Sequence, residues 1–108
     1  MPVSEILELY SRCGRSLINN GLKEAALPLS EAAHALDLFF EHQWVVLGGD
    51  IYKEGVEGRM ESTYENWFYE GGDPKESAVV ARNYLSSFTS GSLSVVFVVE
   101  CRPPSSDV

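Results

Sequence analysis

A chain of 108 residues, 44% hydrophobic and 11% aromatic, is long enough for one domain with a modest core and too apolar to be disordered. Its formal net charge of −8 and pI near 4.6 exclude nucleic acid and anionic membrane surfaces as partners, since both demand clustered lysine and arginine. The same acidity suits steering toward a basic protein, or serves only to keep the chain in solution.

The first residues, Met1-Pro2-Val3-Ser4-Glu5, carry neither a basic stretch nor an apolar one, so no signal peptide is expected and the compartment implied is the cytoplasm. No apolar run approaches membrane-spanning length. Cys13 and Cys101 form no CxxC pair, and both are expected to be reduced, small core residues.

Ser4 is placed to cap a first helix ending near Arg12 or Cys13. Ile6, Leu9, Tyr10 and Cys13 share its apolar face, and Glu5 and Glu8 face away. Gly14 stops it, and Asn19-Asn20-Gly21 signals a turn. Residues 22–29 are ambiguous, because Pro28 blocks a helix and pushes Leu27 toward extended geometry. Ala25-Ala26-Leu27 reads as a short edge strand. Ser30 caps a second helix over 31–42, with Ala32, Ala33, Leu36, Phe39 and Phe40 inward and His34, Asp37 and Glu41 outward.

Residues 44–53 are strand-like and contain Gly48-Gly49. Residues 54–58 turn the chain, and 60–69 return as an antiparallel partner. A symmetric loop would set Asp50 against or beside Tyr64 and Gly48 near Asn66, although a slip of one residue would change which side chains share a face. Gly71-Gly72 ends the hairpin. Asp73 as cap, Pro74 at the first position and Glu76 three after the cap open a third helix running to about Ser87, with Val80, Ala81, Tyr84, Leu85 and Phe88 as its stripe. The β-branched run 93–101 reads as an interior strand. One domain over 1–102 and a frayed tail over 103–108 complete the chain. The fold class is α+β: a small, mainly antiparallel sheet, made of the central hairpin and the C-terminal strand, packed by about three helices.

Catalytic and metal signatures are weak. His34, Asp37 and Glu41 stand at helical spacing, but such a row is also the ordinary solvated face of a helix, and His34 and His42 make no HExxH. There is no GxSxG elbow. Gly48-Gly49 precedes an aspartate and no lysine, which opposes phosphate binding. Gly-Gly-Asp also invites comparison with diguanylate cyclases, but their second acidic residue is replaced here by Ile51. No cofactor is called for. Glycines inside a strand permit a bulge or a close approach, with Trp67 or Tyr64 filling the space above them. Asp50 would then accept hydrogen bonds from Asn66 or nearby amides, or, if it faces an open surface, serve a functional role.

The hairpin's acidic and aromatic residues carry a different signal. Glu54, Glu57, Glu61, Glu65 and Glu70 are interleaved with Tyr52, Tyr64, Trp67 and Tyr69. Aromatic anchors ringed by charge make a plausible protein-binding face, with Tyr52, Glu54, Glu57, Glu61, Glu65 and Glu70 as contact candidates. The alternative is a solvated strand face with the aromatics turned inward.

At this hairpin the chain resembles immunity protein 40 of bacterial polymorphic toxin systems. The resemblance runs from Gly14-Arg15-Ser16-Leu17 through Gly21, Ala26-Leu27 and the helix near Ser30. It is strongest at Leu47-Gly48-Gly49-Asp50 and at Thr63-Tyr64-Glu65-Asn66-Trp67, and fades after about Tyr84. Glu65 stands where the family's pattern leads one to expect aspartate. The resemblance implies a small protein that binds and neutralises a cognate toxin domain, with no catalytic residue to carry over. The motif positions Leu47, Gly48, Gly49, Asp50, Tyr64, Asn66 and Trp67 are expected to be scaffold, because an interface that tells toxins apart belongs to variable residues around them. The charge balance suits a basic toxin such as a nuclease, bound by a monomer or a dimer. The rival function is a small-ligand or metal-binding domain, or a minor hydrolase, using Asp50 with His34 or His42. A third is a subunit adaptor that adds its open sheet face or edge to a larger assembly.

Overall fold

In a computed structural model, which describes residues 2–16, 25–88 and 92–101, the elements follow the order α1 (Pro2–Cys13), β1 (Arg15–Ser16), β2 (Ala25–Pro28), α2 (Leu29–Glu41), β3 (Val45–Glu54), β4 (Met60–Phe68), α3 (Pro74–Leu85) and β5 (Leu93–Glu100). The strands form one antiparallel sheet in the order β1-β2-β5-β3-β4. The α+β class holds, and β5 is interior as its β-branched run requires. The expected turn at Asn19-Asn20-Gly21 and the tail at 103–108 lie outside the described residues.

All three helices pack on one face. Ile6 and Leu9 of α1, Ala32, Ala35, Leu36, Leu38 and Phe39 of α2, and Ala81 and Leu85 of α3 meet Leu27, Val46, Ile51, Trp67, Val95 and Phe97 from the sheet. Cys13, Val80, Tyr84 and Phe88 pack at the margin of this core. Phe39 and Phe97 meet edge to face with ring centroids 5.4 Å apart, a favoured aromatic geometry.

Several expectations are corrected. α1 starts at Pro2, two residues before Ser4, since proline at a first helical position loses no needed N–H. α2 starts at Leu29, behind Pro28 with ψ 145°, so Ser30 is inside the helix and is not its cap. Its inward stripe is rotated: Ala35 and Leu38 are buried, and Ala33 and Phe40 are exposed. β2 is not an edge, because the two-residue β1 lies outside it. Cys101 is exposed and only Cys13 touches the core.

The start of α3 matches its motif with one change of partner. Asp73 accepts from the Lys75 amide (3.1 Å). Glu76, in the position of a capping-box acid, does not reach back to Asp73. The Tyr69 hydroxyl stands between them, donating to Glu76 Oε1 (2.7 Å) and accepting from the Asp73 amide (3.2 Å). The end of the hairpin is thereby tied to the start of α3. Ser77, fully buried one turn on, accepts from the Val46 amide (3.0 Å) and donates to the Pro74 carbonyl (2.8 Å), joining α3 to β3.

Candidate functional site: the outer face of the hairpin

Strand alternation sorts the hairpin into two faces. Gly49 and Ile51, with Trp67, Phe97 and Val95 beside them, face the helices. Gly48, Asp50 and Tyr52 face the other way, beside Phe68, Asn66 and Ser62 of β4 and Val98, Val96 and Ser94 of β5.

The glycine pair serves both faces. Trp67 fills the space above Gly49, where a Cβ would lie 2.6 Å from Trp67 Cη2 and 2.7 Å from the Val96 carbonyl oxygen. Gly48 adopts φ +155°, and a Cβ there would run into the Trp67 carbonyl. Leu47 is the extra residue where β3 shifts register against β5.

The register differs from the symmetric-loop expectation by two residues. Asp50 pairs with Asn66 and Tyr52 with Ser62, so Thr63, Tyr64 and Glu65 together oppose Ile51. Side-chain hydroxyls hold this bulge. The Tyr64 amide donates to Ser62 Oγ (3.0 Å), the Glu65 amide to Thr63 Oγ1 (3.1 Å), and the Thr63 hydroxyl to the Ile51 carbonyl (2.9 Å). Tyr64 sits at φ +65°, a left-handed conformation that is costly for an aromatic residue, and its side chain is 88% exposed. Asn66 donates to the Tyr64 carbonyl (3.4 Å) and not to Asp50.

Asp50 is therefore exposed, and among the described residues its carboxylate accepts no hydrogen bond and forms no ion pair. Glu54, Glu57, Glu61, Glu65 and Glu70 are exposed as well. Tyr52 is buried, packed with Ala26, Met60 and Val96, so its ring is withheld from solvent. The sequence gives little warning of Phe68, which is 73% exposed. The available signal is alternation: if Trp67 covers Gly49, the next residue must point to the opposite face.

Tyr84 packs against Trp67 with the rings tilted by 30° and centroids 4.9 Å apart. Burial raises its hydroxyl pKa, and the negative charge of Glu65 raises it further. The Tyr84 hydroxyl and Trp67 Nε1 are buried without a hydrogen-bond partner among the described residues.

The residues of the rival function are not brought together. Asp37 pairs with Arg82 at 2.9 Å, linking α2 to α3. The His42 ring lies tilted against Trp44, with centroids 5.1 Å apart. Among the described residues no group of three or more His, Cys, Asp or Glu side chains is placed to hold a metal. An apolar recess of about 380 Å³ lies between the helices and β5, lined by Ile6, Tyr10, Phe39, Trp44 and Val99 among others, and neither Asp50 nor a histidine lines it. No helix among the described residues is long and apolar enough to cross a membrane.

Neither a curated protein nor a solved structure matches the chain. The family model described as immunity protein 40 matches residues 16–100, which contain the whole of the hairpin and both halves of its paired motif. The chain belongs to the immunity protein 40 family.

Proposed function

We propose that this protein binds a cognate bacterial toxin domain in a stoichiometric complex and neutralises it by occlusion, without catalysis of its own. The family match over residues 16–100 carries this reading. The exposed carboxylates of the hairpin support it, because six of them (Asp50, Glu54, Glu57, Glu61, Glu65 and Glu70) stand against two cations, Lys53 and Arg59. A surface of that sign complements a basic substrate channel, such as that of a nuclease, and raises the rate of encounter with it. The protein would act in the cytoplasm of the toxin-producing cell or its kin. Glycine-containing motif residues such as Gly48 and Gly49 support the strand geometry from which the charged residues project.

The test is co-expression with the toxin domain encoded by the neighbouring gene. The protein should restore growth and co-purify with the toxin at a fixed ratio. A toxin that kills equally well in its presence, and does not co-purify, would sink the reading.

A further inference from the structure

Tyr64 is held against its own backbone preference. It sits at φ +65°, where glycine or asparagine is at ease and an aromatic residue is not. The bulge engages the backbone of this residue: its amide donates to Ser62 Oγ (3.0 Å) and its carbonyl accepts from Asn66 Nδ2 (3.4 Å). The ring is 88% exposed, and its hydroxyl has no hydrogen-bond partner among the described residues. A glycine would meet the needs of the backbone at lower cost, so the fold gives no reason for a ring at this position.

The surroundings of that ring are acidic and open. Glu61, Glu65 and, across the ladder from Asn66, Asp50 are all exposed, and β4 carries no lysine or arginine over Met60–Phe68. Lys53 on β3, opposite Glu61, offsets one of the three charges. Phe68, four residues further along β4, adds a second exposed ring. β4 is the outermost strand, but the bulge over residues 63–65 interrupts its free edge. A partner strand could not extend the sheet along it, so recognition here falls to side chains. A tyrosine has few torsions to fix on binding, and the hydroxyls of Ser62 and Thr63 already fix the backbone that carries it. Little ordering is left to be done when a partner arrives.

We propose that Tyr64 is a preformed anchor that inserts its ring into a pocket of a basic protein partner, with Glu65 and Asp50 meeting cations at the rim of that pocket and Phe68 covering its margin. A lysine or arginine at the rim would gain from the ring face as well as from the carboxylates. Other partners fit less well. A neutral surface would leave the carboxylates uncompensated. A second copy of this chain, at net charge −8, would be repelled. The inference rests on the toxin-binding reading and names the residue through which that surface takes hold.

The test titrates the neighbouring gene's toxin domain, in a catalytically inactivated form, into wild-type protein and into Tyr64→Gly, Tyr64→Asn, Tyr64→Phe and Asp50→Asn. Glu41→Gln, exposed on α2, is the control. Tyr64→Gly and Tyr64→Asn should each weaken binding about thirty-fold. Neither should unfold more easily than wild type in urea, because both relieve the left-handed backbone. Tyr64→Phe keeps the ring and should bind within about five-fold of wild type. Asp50→Asn should weaken binding about three-fold at low salt and by less at high salt. Wild-type binding with Tyr64→Gly and Tyr64→Asn both within about two-fold of it would overturn the anchor and leave toxin binding intact. Lower stability of both variants would overturn it too, by assigning the ring to the fold. Failure of the wild type to bind would remove the toxin-binding reading, and this inference with it.

Discussion

The indole of Trp67 occupies the volume that a side chain on Gly49 would need, 2.6 Å from the position of its Cβ. The other near neighbour of that position is the Val96 carbonyl oxygen at 2.7 Å, which belongs to sheet backbone and cannot step aside. Trp67 in turn packs against the Tyr84 ring, which blocks its retreat on that side. Gly49→Ala should therefore destabilise the fold by about 1–3 kcal/mol through overpacking. Urea denaturation reads this directly, and an unchanged midpoint would show that the indole relocates freely.

Ser77 is a fully buried polar group inside α3, held between the Val46 amide and the Pro74 carbonyl. Ser77→Ala takes away the hydroxyl that accepts from the Val46 amide. The expected loss is about 1–3 kcal/mol, the cost of leaving a buried donor unmet. Amide hydrogen exchange at Val46 should accelerate more than at Val95 on the neighbouring strand.

Burial pushes the Tyr10 hydroxyl up to about 12 from its ordinary value of 10.0. The folded protein then keeps a proton that the unfolded chain releases. Stability is complete below pH 10 and falls as pH rises from 10 toward 12, by up to about 1.4 kcal/mol per pH unit. Tyr84, raised mainly by burial, adds to the loss in the same direction. Denaturation midpoints at pH 9 and pH 11.5 should diverge less for Tyr10→Phe than for wild type. Equal divergence would remove Tyr10 as a source of alkaline sensitivity.

Glu57, Glu61 and Glu65 are exposed along the hairpin's tip and outer strand. Replacing all three by lysine should slow association with a basic toxin by about ten-fold or more at low ionic strength and flatten its dependence on salt. Stopped-flow mixing over a range of salt concentrations measures both. Association rates that match wild type throughout would take these carboxylates out of the encounter surface.

Local signals carried much of the architecture. α3 was legible because Asp73, Pro74 and the stripe through Ala81 and Leu85 specify a helix without outside help, and β5 because a near-continuous run of valines around Phe97 favours an interior strand. The hairpin register was not legible. It depends on Ser62 and Thr63 turning their hydroxyls onto amides two residues ahead, and on Tyr64 accepting a left-handed backbone, neither of which leaves a trace in hydrophobic alternation. The inward face of α2 was misplaced for a related reason. Ala33 or Ala35, and Phe40 or Leu38, satisfy helical periodicity about equally, and packing against the sheet decides between them. Of the proposed contact residues, the glutamates could be read from composition, but the exposure of Phe68 and Asp50 follows only once the bulge has set the register.

Trp67 and Phe68 are adjacent in the chain and point to opposite sides of the sheet. The outward positions 50, 66, 68 and 98 thus share strands with the residues that hold the fold, yet none of them belongs to its main core. Mutation can drift across these outward positions without eroding the core behind them, whereas Gly48 is constrained by its own backbone. If the outer face is the toxin-binding surface proposed above, a lineage facing a new toxin would acquire a new specificity by changing a few outward side chains on an inherited backbone, and a laboratory library randomised at those positions would draw on the same freedom.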